Sequence, residues 1–380
     1  MTIVYTGGGT GGHFYPLIAI TEALHDMVRT RHLIEPRLYF LAPQPFDQKA
    51  LFENGISFVK IPAGKQRRYV SIENVTGIFT TFVGICRALI TLFQLYPDVV
   101  ISKGGYGSVP TTIAALLLRI PVIIHESDAK PGRANLLASR WATRIAISFE
   151  SAAHYFPQKV QKNIARTGIP VRKRLQHVET EGARQYLGLD TALPTVLILG
   201  GSLGSKRIND TVLAALPELV AFANIIHQTG RDHLTDTQAV AKVVLDKNPN
   251  ANRYHPFDYL SDLALQRAAG AADVVVSRAG SGAITEISLW KKPVILIPIP
   301  EEISHDQRTN AYAFTETGAG VVLEEGNLTP HLFTSEIKRI ATNPELARLM
   351  GARSASFANP EAATILAEEI LSLGLSHETV

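Results

Sequence analysis

Cysteine is nearly absent: 380 residues contain one, Cys86. A lone thiol excludes an internal disulfide and a cysteine-held metal cluster, and it suits a reducing compartment. Two familiar signatures are missing as well. There is no G-x-x-x-x-G-K-[ST], which removes a P-loop kinase, and no H-E-x-x-H, because His125-Glu126 lacks a second histidine in place. Charge of one sign is not in excess. A net charge of +3 is too small for bulk nucleic-acid binding, so no nucleic-acid partner is expected. An uninterrupted membrane-spanning run is lacking too, since the apolar stretch from Gly77 to Tyr96 carries Arg87 near its middle. No leader is read at the start, where Ile3 already belongs to a core strand.

What is present is ample apolar material. With 46% hydrophobic residues, the chain can bury two cores of ~150–200 residues each. Short β-branched runs alternate with helix-length segments. The first half offers strands at 2–6, 37–42, 56–61, 98–102, 121–125 and 143–147; the second offers 195–200, 223–227, 252–255, 273–277, 293–298 and 320–323. This alternation predicts an α/β fold of two Rossmann-like, doubly wound parallel sheets. The break falls at Gly168-Ile169-Pro170-Val171-Arg172, giving domains 1–170 and 171–380, with a last helix at about 360–374 free to pack back on the first domain.

The halves repeat one another. Val99-Val100-Ile101-Ser102-Lys103-Gly104-Gly105 parallels Val274-Val275-Val276-Ser277-Arg278-Ala279-Gly280, and each is followed by a second buried strand at 121–124 or 293–296. The strand before Gly7 to Gly12 likewise parallels the strand before Gly200-Gly201-Ser202-Leu203-Gly204-Ser205. Ligands of doubly wound sheets bind at the carboxyl ends of the strands, so these loops are the candidate sites, facing one another across a cleft.

The first loop, Gly7-Gly8-Gly9-Thr10-Gly11-Gly12-His13, opens a helix and reads as a phosphate cradle. Gly7, Gly9 and Gly12 satisfy G-x-G-x-x-G, but the second strand ends in Ala42-Pro43-Gln44, without the carboxylate that a dinucleotide ribose needs. A dehydrogenase is therefore not expected. His13 stands at the lip of the cradle with an ordinary pKa near neutrality. It suits a general base, a ligand of acceptor phosphate, or a helix cap.

Several ordered motifs carry a resemblance. GGTGGH at Gly8 to His13, GGYGS at Gly104 to Ser108, PVIIHE at Pro121 to Glu126 and G-x-PVR at Gly168 to Arg172 lie in the first half. GGSLGS at Gly200 to Ser205, SRAGSGAITEI at Ser277 to Ile287 and DQRTNA at Asp306 to Ala311 lie in the second. Together they resemble the MurG family, glycosyltransferase family 28, from Gly7 to about Ala319. The resemblance implies a GT-B fold and an inverting transfer of N-acetylglucosamine (GlcNAc) from UDP-GlcNAc to the N-acetylmuramyl (MurNAc) 4-hydroxyl of undecaprenyl-pyrophosphoryl-MurNAc-pentapeptide. Another GT-B transferase acting on a lipid acceptor, a UDP-GlcNAc 2-epimerase, or a catalytically silent partner are the alternatives. No D-x-D occurs, so departing UDP is expected to lean on backbone N–H groups and cations, with no metal or cofactor.

An inverting transfer needs a base for the acceptor hydroxyl, and His13 is the candidate for it, with Glu126 as the second. By resemblance, the donor falls to Thr10, Gly11, Gly12, Arg172, Ser202, Leu203, Gly204, Leu260, Gly282, Ala283, Glu286, Asp306 and Gln307. Within that set Arg172 and Ser202 take the diphosphate, Leu260 reads uracil through its backbone, Glu286 holds the ribose and Gln307 the sugar. The acceptor falls to Gly8, Gly9, Gly104, Gly105, Tyr106, His125 and Asp128. Taken alone, Arg172 also fits a linker salt bridge, Glu286 a helix N-terminal charge and Gln307 a surface amide. Asp128 stands where the family usually has an amide, and its charge would repel a diphosphate unless Lys130 or Arg133 compensates. The loop Glu301-Glu302-Ile303-Ser304-His305 is acidic, and Asp306 departs from the family pattern.

The apolar Gly77 to Tyr96 segment reads either as a core helix or as a surface helix on a membrane. Ile78, Phe79, Phe82, Ile85, Leu89, Leu92 and Phe93 cover a wide arc, and Lys65, Arg67 and Arg68 precede it. A lipid-linked acceptor favours the second reading: peripheral docking of residues 65–96 on an anionic membrane, at the cytoplasmic face.

Overall fold

Val and Ile runs become strands here because a pleat buried on both faces favours them. The computed structural model describes residues 1–8, 10–65, 72–201, 204–303 and 306–375, and in it these runs build two all-parallel sheets. The first holds β1 (Thr2–Thr6), β2 (Arg37–Ala42), β3 (Ile56–Lys60), β4 (Val99–Ser102), β5 (Val122–Glu126), β6 (Arg144–Ile147) and β7 (Ile164–Arg166), in the order β3-β2-β1-β4-β5-β6-β7. The second holds β8 (Thr195–Leu199), β9 (Asn224–Gln228), β10 (Tyr254–Phe257), β11 (Val274–Ser277), β12 (Val294–Leu296) and β13 (Gly320–Val322), in the order β10-β9-β8-β11-β12-β13. Both are doubly wound. Strand β7 was not anticipated, and β10 lies two residues beyond the expected 252–255.

By compactness the chain divides into Met1–Arg172 with Asn359–Val380, and Lys173–Ala358. In the first unit successive residues of β1 face opposite layers, as strand alternation requires. Ile3 and Tyr5 pack with Leu17, Ile20 and Leu24 of the helix Gly11–Thr30 and with Leu366 and Ile370 of the helix Ala362–Leu375. Val4 packs on the other side with Ala88, Leu92, Val100 and Ile124. The last helix is held mainly by this burial, at roughly 1.5–3 kcal/mol for each large apolar side chain. Its ion pairs, Arg31–Glu368 and Arg144–Glu369, both 2.7 Å, are largely exposed and add about 0–1 kcal/mol each.

The helix Ile72–Leu95 inverts part of the expected arrangement. Its inward seam is Gly77, Gly84, Ala88 and Leu92. A Cβ on Gly84 would lie 1.9 Å from the Pro62 carbonyl oxygen, so the helix is drawn onto the 62–64 backbone by having no side chain there. Its bulky residues consequently point away from the core. Val75, Ile78, Phe79, Phe82, Val83, Ile90 and Phe93 are exposed, whereas Leu92, expected in the same arc, is fully buried and Ile85 and Leu89 are partly covered. By length and composition Val75–Leu95 is apolar enough to cross a membrane, and 22% of an 18-residue window of it is buried against its own domain.

In the second unit Val196, Ile198, Val274, Val276 and Ile295 pack against Ile208, Val212 and Leu216 of the helix Lys206–Phe222 and against Phe333 and Ile337. Beneath the following loop a buried chain of hydrogen bonds joins three elements. His227 Nδ1 meets the Tyr254 hydroxyl at 3.0 Å and His227 Nε2 meets Asn209 Oδ1 at 3.1 Å, while Asn209 Nδ2 donates to Thr229 O at 3.0 Å.

Candidate active site

Each sheet has its switch point between its first strand and the strand that reverses the order, β1 and β4 or β8 and β11. In register Thr6 lies opposite Ser102, and Leu199 opposite Ser277. The loops that leave these pairs are therefore neighbours.

In the first unit the two loops touch backbone to backbone. Gly105, at φ +76°, would place a Cβ 2.9 Å from the Gly8 carbonyl oxygen, and Gly107 would place one 3.1 Å from that of Gly7. Gly104, at φ +79°, lies under Asn135, whose amide atoms would be 2.8 Å from an added Cβ. Gly8 and Gly105, expected at the acceptor, thus first serve the close approach of these loops, and Gly104, expected there too, makes room for Asn135. Tyr106 is half-exposed at the start of the turn that follows. Gly9 lies outside the described residues.

His13 sits in the first turn of the helix Gly11–Thr30, half-buried, with Nδ1 2.9 Å from Thr10 Oγ1. Burial first, then the Lys103 ammonium, lower its pKa to about 4, with the Asp128 carboxylate opposing. The ring is neutral at pH 7. If Nδ1 carries the proton and donates to Thr10, Nε2 presents a lone pair and can accept a proton. Thr10, expected beside the donor, has its hydroxyl on His13 instead.

Beneath the loops lies a lysine that the sequence reading did not single out. Lys103 is 2% exposed, and its Nζ meets His125 Nδ1 at 2.6 Å and also donates to Ser127 Oγ. An ammonium can only donate, so His125 Nδ1 accepts, and its Nε2–H donates to the Gly168 carbonyl at 2.8 Å. Burial lowers the Lys103 pKa to about 8, against Glu126 and Asp128, which raise it. His125 is pushed well below its ordinary pKa by burial and then by Lys103. Both of its ring nitrogens are taken, by Lys103 and by the Gly168 carbonyl, so the ring props Lys103 and presents no free nitrogen for the acceptor contact expected of it.

Glu126 requires a similar correction. It is 4% exposed, with Oε1 accepting from Asp128 N at 2.9 Å and Oε2 from Gly132 N at 3.0 Å and Asn135 Nδ2 at 2.9 Å. Burial, and then Asp128, raise its pKa to about 7, while these donors pull it down. Its carboxylate ties the 126–132 turn, leaving it poorly placed to take a proton from a substrate. Asp128 is half-exposed on that turn.

The second unit repeats the strand-end cation. The Arg278 guanidinium donates to Ser205 Oγ at 2.6 Å, to the Ile297 carbonyl at 3.1 Å and to Glu325 at 2.8 Å. It forms one wall of a 510 Å³ cavity that also includes Gly200, Gly204, Lys206, Arg207 and Ile303. Gly204 is required there, because at φ +78° its Cβ would fall 2.0 Å from the Thr229 carbonyl oxygen. Ser205 caps the helix Lys206–Phe222 through Ile208 N at 3.4 Å. Ser202 and Leu203 lie outside the described residues.

The helix Ser281–Leu289 opens nearby with Gly282 and Ala283 in its first turn, where N–H groups lack intrahelical partners, and a Cβ on Gly282 would meet nothing within 4 Å. Glu286 lies one turn on from Gly282, half-exposed. Gln307 Oε1 accepts from Ala279 N and Ile299 N, both at 3.2 Å, which leaves the amide N–H groups for a ligand. Asp306 precedes Gln307 at the start of its helix. Leu260 is buried, and its N–H is already given to Gln228 Oε1 at 3.0 Å, so only its carbonyl is available to a base. Gln228, also absent from the sequence reading, donates to the Gly201 carbonyl at 3.1 Å and so ties the two loops. The acidic 301–306 stretch is partly neutralised, with Glu301 3.6 Å from Arg308. Arg172, where the chain leaves the first unit for the second, stacks its guanidinium 4.3 Å above the Tyr15 ring.

Two doubly wound sheets with glycine loops and a strand-end cation at each switch point define a GT-B architecture. Solved structures share that fold across the chain. MurG of Acinetobacter baumannii matches with a TM-score of 0.75 at 24% identity, covering 98% of this chain and 99% of that one. The Staphylococcus aureus MnaA–UDP structure matches at 0.70 and 14% identity, covering 98% of both.

Residues 3–147 match the glycosyltransferase family 28 N-terminal domain, and residues 195–365 the family 28 C-terminal domain. The chain belongs to glycosyltransferase family 28 and is an enzyme of that class. Among its relatives, a Bacillus cereus protein is 35% identical over 345 residues, covering 90% of this chain and 92% of that protein. One from Treponema denticola is 31% identical over 382 residues, covering 96% of each. Both are named UDP-N-acetylglucosamine–N-acetylmuramyl-(pentapeptide) pyrophosphoryl-undecaprenol N-acetylglucosamine transferase.

Proposed function

We propose that this enzyme moves GlcNAc from UDP-GlcNAc to the MurNAc 4-hydroxyl of undecaprenyl-pyrophosphoryl-MurNAc-pentapeptide, with inversion, in peptidoglycan synthesis. The names of relatives aligned over nine-tenths of the chain support the substrates. One observation carries the mechanism: a neutral His13 at the lip of a glycine loop, with one ring nitrogen held by Thr10. Its Nε2 takes the acceptor hydroxyl proton as the oxygen attacks the anomeric carbon and the bond to UDP breaks. Negative charge then gathers on UDP. The first-turn N–H groups of the helix Ser281–Leu289 face it, with Arg278 and Arg172 as cations. Glu286 takes the ribose, Gln307 the sugar hydroxyls, and the Leu260 carbonyl the uracil. The first glycine loop receives the acceptor diphosphate.

His13→Ala is expected to lower turnover at least about 10²-fold while leaving UDP affinity unchanged. Turnover within about threefold of the parent enzyme refutes the base assignment.

The outward face of the helix Ile72–Leu95 supports peripheral docking at the cytoplasmic face of the membrane, where a lipid-linked acceptor must be met. Phe79, at 69% exposure, and Phe93, at 73%, would enter the interface, with exposed Lys65 near anionic headgroups. Arg67 and Arg68, assigned the same role, lie outside the described residues. Salt or loss of anionic lipid should release the protein from vesicles; unchanged binding under both treatments counts against the headgroup contribution.

A further inference from the structure

We propose that Lys103 is a positioning residue for the transfer: its buried ammonium locks the turn that follows β5 beneath the first glycine loop, on the far side of Gly7 from His13. The inference rests on the reading of His13 as the base.

The geometry comes first. Lys103 follows β4 directly, and its backbone N–H donates to the Thr6 carbonyl at 2.9 Å, immediately before the glycine loop begins. A Cβ on Gly7 would lie 3.3 Å from both Lys103 Cβ and the His13 carbonyl oxygen, so the lysine stem and the histidine flank the same glycine. From there the side chain runs inward to His125 Nδ1 and Ser127 Oγ. Three elements thus converge on one ammonium: β4, the end of β5 and the turn after it. Burying a lysine is costly unless its charge is used, and here the ammonium is spent on His125 and Ser127.

The surrounding charges give the ammonium its second effect. His13 faces it from the first helix, His125 and Glu126 from β5, and Asp128 from the turn. A cation beside His13 disfavours imidazolium, and Asp128 works against it. Lys103 also offsets the Asp128 charge, the compensation that the sequence reading sought from Lys130 or Arg133. A diphosphate can then approach the loop without meeting an unbalanced carboxylate.

The same position in the second unit holds Arg278, tied to the neighbouring glycine loop through Ser205. The partners differ, Ser205 of the glycine loop for Arg278 and the end of β5 with its turn for Lys103, but each unit uses a strand-end cation to brace its switch-point region.

The test is the pH profile of kcat with UDP-GlcNAc and lipid acceptor, for Lys103→Met and for Asp128→Asn. Removing the lysine charge lets His13 protonate more readily, so Lys103→Met should raise the acidic limb by about one pH unit or more and lower kcat about tenfold or more, with the donor KM within about twofold. Asp128→Asn, on a half-exposed turn, removes the opposing charge and should move the limb toward acid. It keeps the proposal testable if Lys103→Met does not fold. A loss of kcat with both limbs unmoved overturns the inference, as does a shift of either variant in the wrong direction. The two readings remain distinguishable. An active His13→Ala would defeat the base assignment itself, whereas an inactive His13→Ala beside unmoved limbs would defeat only the role of Lys103.

Discussion

Replacing Glu126 with glutamine separates a structural carboxylate from a catalytic one. The side chain accepts three N–H donors, from Asp128, Gly132 and Asn135, at 2.9, 3.0 and 2.9 Å. In the best orientation a glutamine carbonyl keeps the two donors on the Oε2 side, and its NH₂ is then turned toward the Asp128 N–H. One bond is lost and two buried donors face each other, at a cost of roughly 2–3 kcal/mol. For a unit of this size each kcal/mol lowers Tm by about 2–4 °C, so the first unit should melt about 4–12 °C earlier. The pH dependence should change as well. Glu126 is raised to about 7 when folded, so between its ordinary value and pH 7 the folded state holds the extra proton and stability falls as pH rises. Glutamine removes that slope. Calorimetry across pH, together with turnover measured well below the transition, makes the comparison. An unchanged Tm with turnover reduced more than about 10³-fold would show that the carboxylate acts on substrate, contrary to its role in the turn.

Other expectations concern separate parts of the molecule. His227 is buried and neutral, with burial lowering its pKa to about 3, so the unfolded chain binds a proton first as pH falls below its ordinary value. That group alone should cost about 2 kcal/mol between pH 6.5 and 5, and His227→Gln should flatten the slope in urea melts. Arg278→Met breaks the contacts to Ser205 and Glu325, and UDP affinity by calorimetry should fall about tenfold or more; unchanged affinity would remove Arg278 from the donor side. Phe79→Ser with Phe82→Ser should weaken vesicle binding about 10²-fold or more with Tm held within about 2 °C, since both side chains are already exposed.

Most of the sheet was legible because buried parallel strands are written as short Val and Ile runs, as in Val99–Ile101 and Val274–Val276. Strand β7 escaped notice because three residues, Ile164-Ala165-Arg166, at the edge of a sheet carry neither length nor pattern. The orientation of the helix Ile72–Leu95 escaped for another reason. Its packing seam is made of glycine and alanine, whereas hydrophobic periodicity weighs the phenylalanines. Glycine loops and His13 were visible as motifs, and the structure places them at the switch points. Lys103 and Arg278 were hidden in plain sight, at matching positions of the repeated Ser102-Lys103 and Ser277-Arg278 pairs. Basic residues are usually solvated, so neither drew notice. The tasks of His125 and the Leu260 N–H depend on partners far apart in sequence, Lys103 and Gln228, which no local pattern encodes.

The most direct test of the central claim is UDP release from UDP-GlcNAc, measured with and without undecaprenyl-pyrophosphoryl-MurNAc-pentapeptide. Release that requires the acceptor, together with a β-linked disaccharide product, is the expected result. Isomerisation of the sugar nucleotide without acceptor, or no reaction in either case, would contradict it.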